Sequence, residues 1–171
     1  TTLFRVLAGL WPFGSGRLSV PDPAQGVLFL PQKAYLPIGT LREAMAYPGH
    51  PGDFAEAEMV EALNACQLGH LADRLDEERN WSMTLSPGEQ QRLSIARAIL
   101  QQPRWLFLDE ATAAVDAATE QRLYGLLLER LPDAAIVSIA HRPTVVGFHD
   151  TRLVIDPAAR SLRSEPVARE G

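Results

Sequence analysis

LSPGEQQRLSIARAILQQPRWLFLDEAT, residues 85–112, decides the fold. Its first half is written as a capped helix. Ser86 can take the N-cap, Pro87 the first helical position and Glu89 the third, which completes a capping box. The helix predicted over 85–103 runs up to Pro103. WLFL (105–108) is then an unbroken apolar run, the pattern of a strand buried on both faces, and it ends in two acids, Asp109 and Glu110. Working outward, TEQRLYGLLLERL (119–131) predicts an amphipathic helix and AAIVSIAHR (134–142) another apolar strand, ending at His141. TRLVIDPAARSLR (151–163) reads as a β-hairpin, and 165–171 as a frayed tail. Upstream, VLFLPQ (27–32) is a further buried strand, closed by Pro31 and Gln32. TLREAMAY (40–47) starts a helix with Thr40 as N-cap and Glu43 as its capping-box partner. Residues 53–75 predict two short helices broken near Gly69, and 3–11 a helix ended by Pro12.

Strands alternating with helices imply an α/β fold with a mostly parallel sheet flanked by helices. The middle of the chain carries no strand signal. This predicts one domain over 1–171, with a helical subdomain at 41–95 inserted into a core of 1–40 and 96–164.

Bulk properties narrow the function. With 171 residues, 46% apolar and 22% charged, the chain has material for one real core. A net charge of −5 and an isoelectric point near 5.3 disfavour nucleic acid as a partner, since that binding is dominated by basic contacts to phosphate. Cys66 is the single cysteine; it cannot form an intrachain disulfide and reads as a buried helix residue. No apolar run approaches the ~18 residues of a membrane span. The chain begins at Thr1 without Met, which reads as a piece of a longer polypeptide.

Three apolar strands each end in polar chemistry: Gln32, then Asp109 with Glu110, then His141. Ligands of open α/β sheets bind beyond the carboxyl ends of the strands, so these residues are expected to converge. Two carboxylates beside a phosphate suggest a Mg²⁺ ligand and a base. Ser86 and Gly88 at a helix N-terminus have two readings, a well-capped helix and an anion site for phosphate.

As a set, these motifs resemble the nucleotide-binding domain of ABC-type ATPases, with a P-loop NTPase-like fold. LSPGEQQR resembles the signature loop, WLFLDEAT the Walker B strand, AAVD (113–116) the D-loop, Gln32 the Q-loop glutamine and His141 the switch histidine. Thr1, Thr2 and Leu3 resemble the tail of a phosphate loop G-x-x-x-x-G-K-[ST], whose glycines and lysine this sequence does not contain. A second departure is Pro87 in place of the usual first signature glycine. LPQKAYLPIGTLREAMAYP (30–48), Trp81 ahead of Leu85, and GE rather than GQ resemble the branch of peroxisomal fatty-acyl half-transporters and bacterial fused permease–ATP-binding proteins.

The resemblance implies ATP and Mg²⁺ as cofactors and transport across a membrane as the work. It implies Thr1, Gln32 and Asp109 around the metal, with Thr1 and Thr2 at the phosphates. Glu110 becomes the general base, and His141 and Gln32 its catalytic companions. Ser86, Gly88 and Glu89 would cap the γ-phosphate held by a second nucleotide-binding domain in a head-to-tail dimer, with Asp116 along that interface. A permease domain, on the same polypeptide, is the other implied partner, and the cytoplasmic face of the cell membrane the location. Two rival readings are an inert fragment and a DNA-repair ABC ATPase. The interval of about 54 residues between Gln32 and Ser86, without sustained heptads, disfavours the latter. The first strand of the domain is expected beside the Walker B strand, and its absence to leave unpaired strand edges that invite pairing with another chain.

Overall fold

The computed structural model describes residues 2–22, 26–156, 158–159 and 161–167. The three apolar runs pair side by side. β1 (Val27–Leu30), β4 (Trp105–Asp109) and β5 (Ala135–Ile139) form a parallel sheet in the order β1–β4–β5. Leu30 lies beside Leu108, and Asp109 beside Ile139. Side chains alternate across a strand. Leu28, Leu30, Leu106 and Leu108 therefore all enter the main core, while Phe29 and Phe107 stack at 4.5 Å on the opposite face. That second face is covered by α1 (Thr2–Leu7), whose Phe4 meets Phe107 edge-on at 5.4 Å. The result is the α/β layering expected from sequence, with helices against both faces of the sheet.

The core face carries the helices between β1 and β4. β2 (Gly39–Thr40) leads into α2 (Leu41–Ala46), followed by α3 (Glu56–Ala65), β3 (Glu78–Arg79), α4 (Trp81–Thr84) and α5 (Pro87–Gln101). Leu41, Met45, Met59, Leu63, Trp81, Leu93 and Ile95 are all fully buried in one continuous cluster with the sheet leucines. Burying each such side chain contributes about 1.5–3 kcal/mol. Arg97 of α5 is buried too. It donates to the carbonyls of Ala44 (3.0 Å) and Tyr35 (3.1 Å), which fastens α2 to α5 through main-chain acceptors. Burial lowers its pKa to about 10. α6 (Ala117–Arg130) precedes β5, and β6 (Thr151–Asp156) and β7 (Ser161–Pro166) form the predicted hairpin.

Several expectations need correction. α1 does not run to Pro12. Gly9 adopts φ +72°, its N–H donates to Val6 and that of Leu10 to Arg5, a Schellman ending that Pro12 plays no part in. The segment without strand signal contains β3, which pairs antiparallel with β2 through two residues and brings Thr40, at the start of the helical region, beside Glu78. Neither side of β4 is open to the further strand expected beside it, because β1 and β5 occupy both. β7 extends through Glu165 and Pro166, and Val167 N–H donates to Asp150 C=O. Residues 168–171, and Thr1, lie outside the described residues.

Candidate functional site

Because the strands are parallel, their carboxyl ends share one edge, and the polar groups that follow them meet there. Gln32 Nε2 donates to Glu110 Oε2 at 3.0 Å, and His141 Nε2 lies 2.9 Å from Glu110 Oε1. One carboxylate thus joins the residues that follow three separate strands. Glu110 keeps a fifth of its side chain exposed and His141 about four fifths, so the group opens to solvent on one side. Asp109 is half-buried at the last position of β4.

Glu110 is aimed by its backbone. It adopts φ +52°, the left-handed region that non-glycine residues avoid at a cost of order 1 kcal/mol. Its N–H still donates to Ile139 (2.9 Å), as if continuing the ladder, while its C=O accepts from Ala113 N–H (3.1 Å) as the chain turns away. The conformation therefore separates Glu110 from Asp109, which remains in the strand.

The N-terminus of α5 forms a second group. Ser86 Oγ donates to Glu89 Oε2 (2.7 Å), Ser86 N–H to the same oxygen (2.9 Å), and Glu89 N–H back to Ser86 Oγ (3.3 Å). His70 Nε2 sits 3.1 Å from Glu89 Oε1. The Ser86 bonds, and then His70, hold the Glu89 carboxyl below the usual range. A Cβ on Gly88 would stand 3.3 Å from the Ala114 carbonyl, so this glycine permits a close approach to the 113–116 segment. Asp116 caps α6, accepting from Thr119 N–H (2.9 Å) and Thr119 Oγ1 (2.7 Å). Thr2 is the first residue of α1.

Of the four strand-end residues expected to converge, Gln32, Glu110 and His141 are bonded together, while Asp109 closes β4 beside them. Sequence reasoning missed what holds them. Gln91, 4% exposed, accepts from Ala114 N–H (2.7 Å) and donates to the carbonyls of Gln32 (3.2 Å) and Glu110 (3.4 Å). Arg142 donates to Val115 C=O (2.9 Å) and lies 3.4 Å from the buried Glu120, whose other oxygen accepts from Thr112 Oγ1 (2.7 Å). The 113–116 segment is thereby gripped from two sides. Two further histidines are engaged with neighbouring side chains. His149 packs against Tyr124 and bonds Ser138, whereas His70 is engaged with Glu89.

A family model described as ABC transporter matches residues 1–113. The chain belongs to that family. An uncharacterized ABC transporter ATP-binding protein of Haemophilus influenzae is 46% identical over 91% of this chain and 26% of its own length. ABC transporter D family member 1 of Arabidopsis thaliana is 39% identical over 91% of this chain and 12% of its own length. A bacterial Atm1-family ABC exporter with ATP bound superposes with a TM-score of 0.76 at 28% identity, covering 91% of this chain and 29% of the exporter chain. The chain is thus an ABC transporter ATP-binding domain of α/β fold, similar to D-family members and bacterial relatives. It spans about a quarter of the length of its bacterial relative. No helix among the described residues is long and apolar enough to cross a membrane.

Proposed function

We propose that this ABC domain hydrolyses ATP to drive movement of a substrate across a membrane, with Glu110 as the base that accepts a proton from the attacking water. The observation that carries this reading is the Glu110 carboxylate held between Gln32 and His141 at the open edge of the sheet. Gln32 and His141 orient the base, and His141 is placed to donate toward a γ-phosphate oxygen. Such chemistry is mostly positioning and charge stabilisation. Ser86, Gly88 and the α5 N-terminus face a second copy of the domain, whose nucleotide they cap, and Asp116 lies along that contact.

The donor set at the strand edge fits a hard divalent cation. Asp109 offers carboxylate oxygens, and Gln32, with its Nε2 turned to Glu110, presents its amide oxygen. These two, with Thr1, would hold Mg²⁺, which when bound neutralises charge on the phosphates. Among the described residues no group of three acidic, histidine or cysteine side chains could hold a metal ion, and phosphate and water would complete the set around Asp109 and Gln32.

The permease partner, on the same polypeptide, fits an apolar surface near Gln32. Tyr35 and Tyr47 pack at 4.9 Å while staying exposed, and Ile38 is 79% exposed. In this reading the domain works at the cytoplasmic face of the membrane. The sequence holds no Gly-Lys phosphate loop, so the reaction is assigned to the longer polypeptide, and the 171 residues alone are expected to bind MgATP weakly. The test is Glu110→Gln in the full-length protein. MgATP binding is expected to persist while turnover falls by about a hundredfold or more. Turnover near the wild-type rate would overturn the assignment of the base.

A further inference from the structure

Glu110 is held in an unfavourable backbone conformation, and something must hold it there. Its N–H is fixed by Ile139 of β5. Its carbonyl side is fixed by the turn to Ala113 and by one side chain from another element, Gln91 of α5. That side chain is 4% exposed, which leaves water little access to replace its bonds. Both ends of the amide are engaged. The oxygen takes Ala114 N–H, and the nitrogen serves the carbonyls of Gln32 and Glu110. The three bonded segments carry the base, the glutamine that contacts it and the turn against Gly88.

We propose that Gln91 is a positioning residue of the hydrolytic site, whose amide holds Glu110 in the left-handed conformation that aims its carboxylate between Gln32 and His141. Without the amide nitrogen, the Glu110 peptide is released to rotate toward ordinary φ values, and the carboxylate leaves the place where Gln32 and His141 meet it. Gln91 is buried and its amide bonds main-chain groups, so it acts through Glu110. The proposal rests on the reading of Glu110 as the base.

The test uses two substitutions in the full-length protein. Gln91→Leu removes all three bonds at similar volume. Gln91→Glu keeps an acceptor for Ala114 N–H but sets carboxylate oxygen against two carbonyls. Both are expected to lower kcat about tenfold or more while the KM for ATP and MgATP affinity stay within about threefold, because the displaced group acts only in the chemical step. A double-mutant cycle with Glu110→Gln adds the readout that a structural role would not move: on the Glu110→Gln background, Gln91→Glu causes no further loss of the residual rate. If Gln91→Leu does not fold, Gln91→Glu decides alone. The proposal falls if kcat per folded molecule stays within about twofold in the folded variants, if KM rises with kcat unchanged, or if the cycle is additive. Failure of the base reading is separate: it shows as Glu110→Gln retaining turnover, whatever the Gln91 variants do.

Discussion

Two helices of this domain begin with the same device and use it differently. α2 opens with Thr40 and Glu43, and α5 with Ser86 and Glu89; in both, the hydroxyl and the carboxylate exchange bonds with each other's backbone N–H. After Thr40 come Leu41, Ala44 and Met45, all without exposed surface, so that cap anchors a helix in the core. After Ser86 come Pro87 and Gly88, and at Gly88 even a Cβ would press against the 113–116 segment. Glu89 is also bonded by His70, while no second side chain bonds Glu43 beyond Thr40 in the described contacts. The capping pattern itself reports only a helix start; the residues immediately after it decide whether that start is a fixture or an approach to a ligand.

The comparison breaks most sharply on the two hydroxyls. Ser86→Ala and Thr40→Ala each remove a cap, and each is expected to cost about 1 kcal/mol of stability by thermal or denaturant unfolding. ATP turnover should part them: a fall of about tenfold or more for Ser86→Ala, where a donor to phosphate is lost, against less than about twofold for Thr40→Ala. Equal turnover in the two variants would reduce the α5 box to a cap.

Gly88→Ala asks whether the close approach matters. Its Cβ would lie 3.3 Å from the Ala114 carbonyl, so the 113–116 segment must give by a few tenths of an ångström. A severalfold loss of turnover is expected with the melting temperature little changed, since φ at Gly88 is not in the left-handed region. Unchanged turnover would show that the segment yields freely.

The smallest effect is electrostatic. The Glu89 carboxyl is held below its ordinary 4.5, first by the Ser86 hydroxyl. A carboxyl with a depressed folded-state pKa contributes stability that is fully present above its unfolded value and is lost as pH falls through the folded one. Glu89→Gln should therefore flatten the decline of melting temperature below about pH 5, with little effect at pH 7 beyond loss of the charged cap. A pH profile identical to wild type would remove Glu89 from the acid response.

Much of this was legible in advance where the signal is local or edge-directed. Both capping boxes stand in the sequence at fixed spacing, and Gln32, Glu110 and His141 could be joined because parallel strands end at one edge. What stayed hidden depends on contacts between distant segments. Gln91 stands inside LSPGEQQR, but nothing local says what its amide bonds, and two of its three partners, Gln32 and Ala114, lie 59 and 23 residues away. The left-handed Glu110 has no glycine to announce it. Gly9, by contrast, stands in the sequence as the usual kind of helix terminator, and it ends α1 ahead of Pro12. β3 is two residues long and polar, too short for any periodicity to show.

That short pairing of β2 with β3 has a kinetic consequence. β1 and β4 lie some 78 residues apart, the same separation as Gln32 and Glu110, and a chain that long closes slowly when most contacts are non-local. Clipping Thr40 to Glu78 removes roughly half of that span from the loop to be closed, worth about 0.6 kcal/mol of closure entropy. The segment from Thr40 to Glu78 would then fold as a local unit first, with the strand edge that carries Glu110 assembled afterwards.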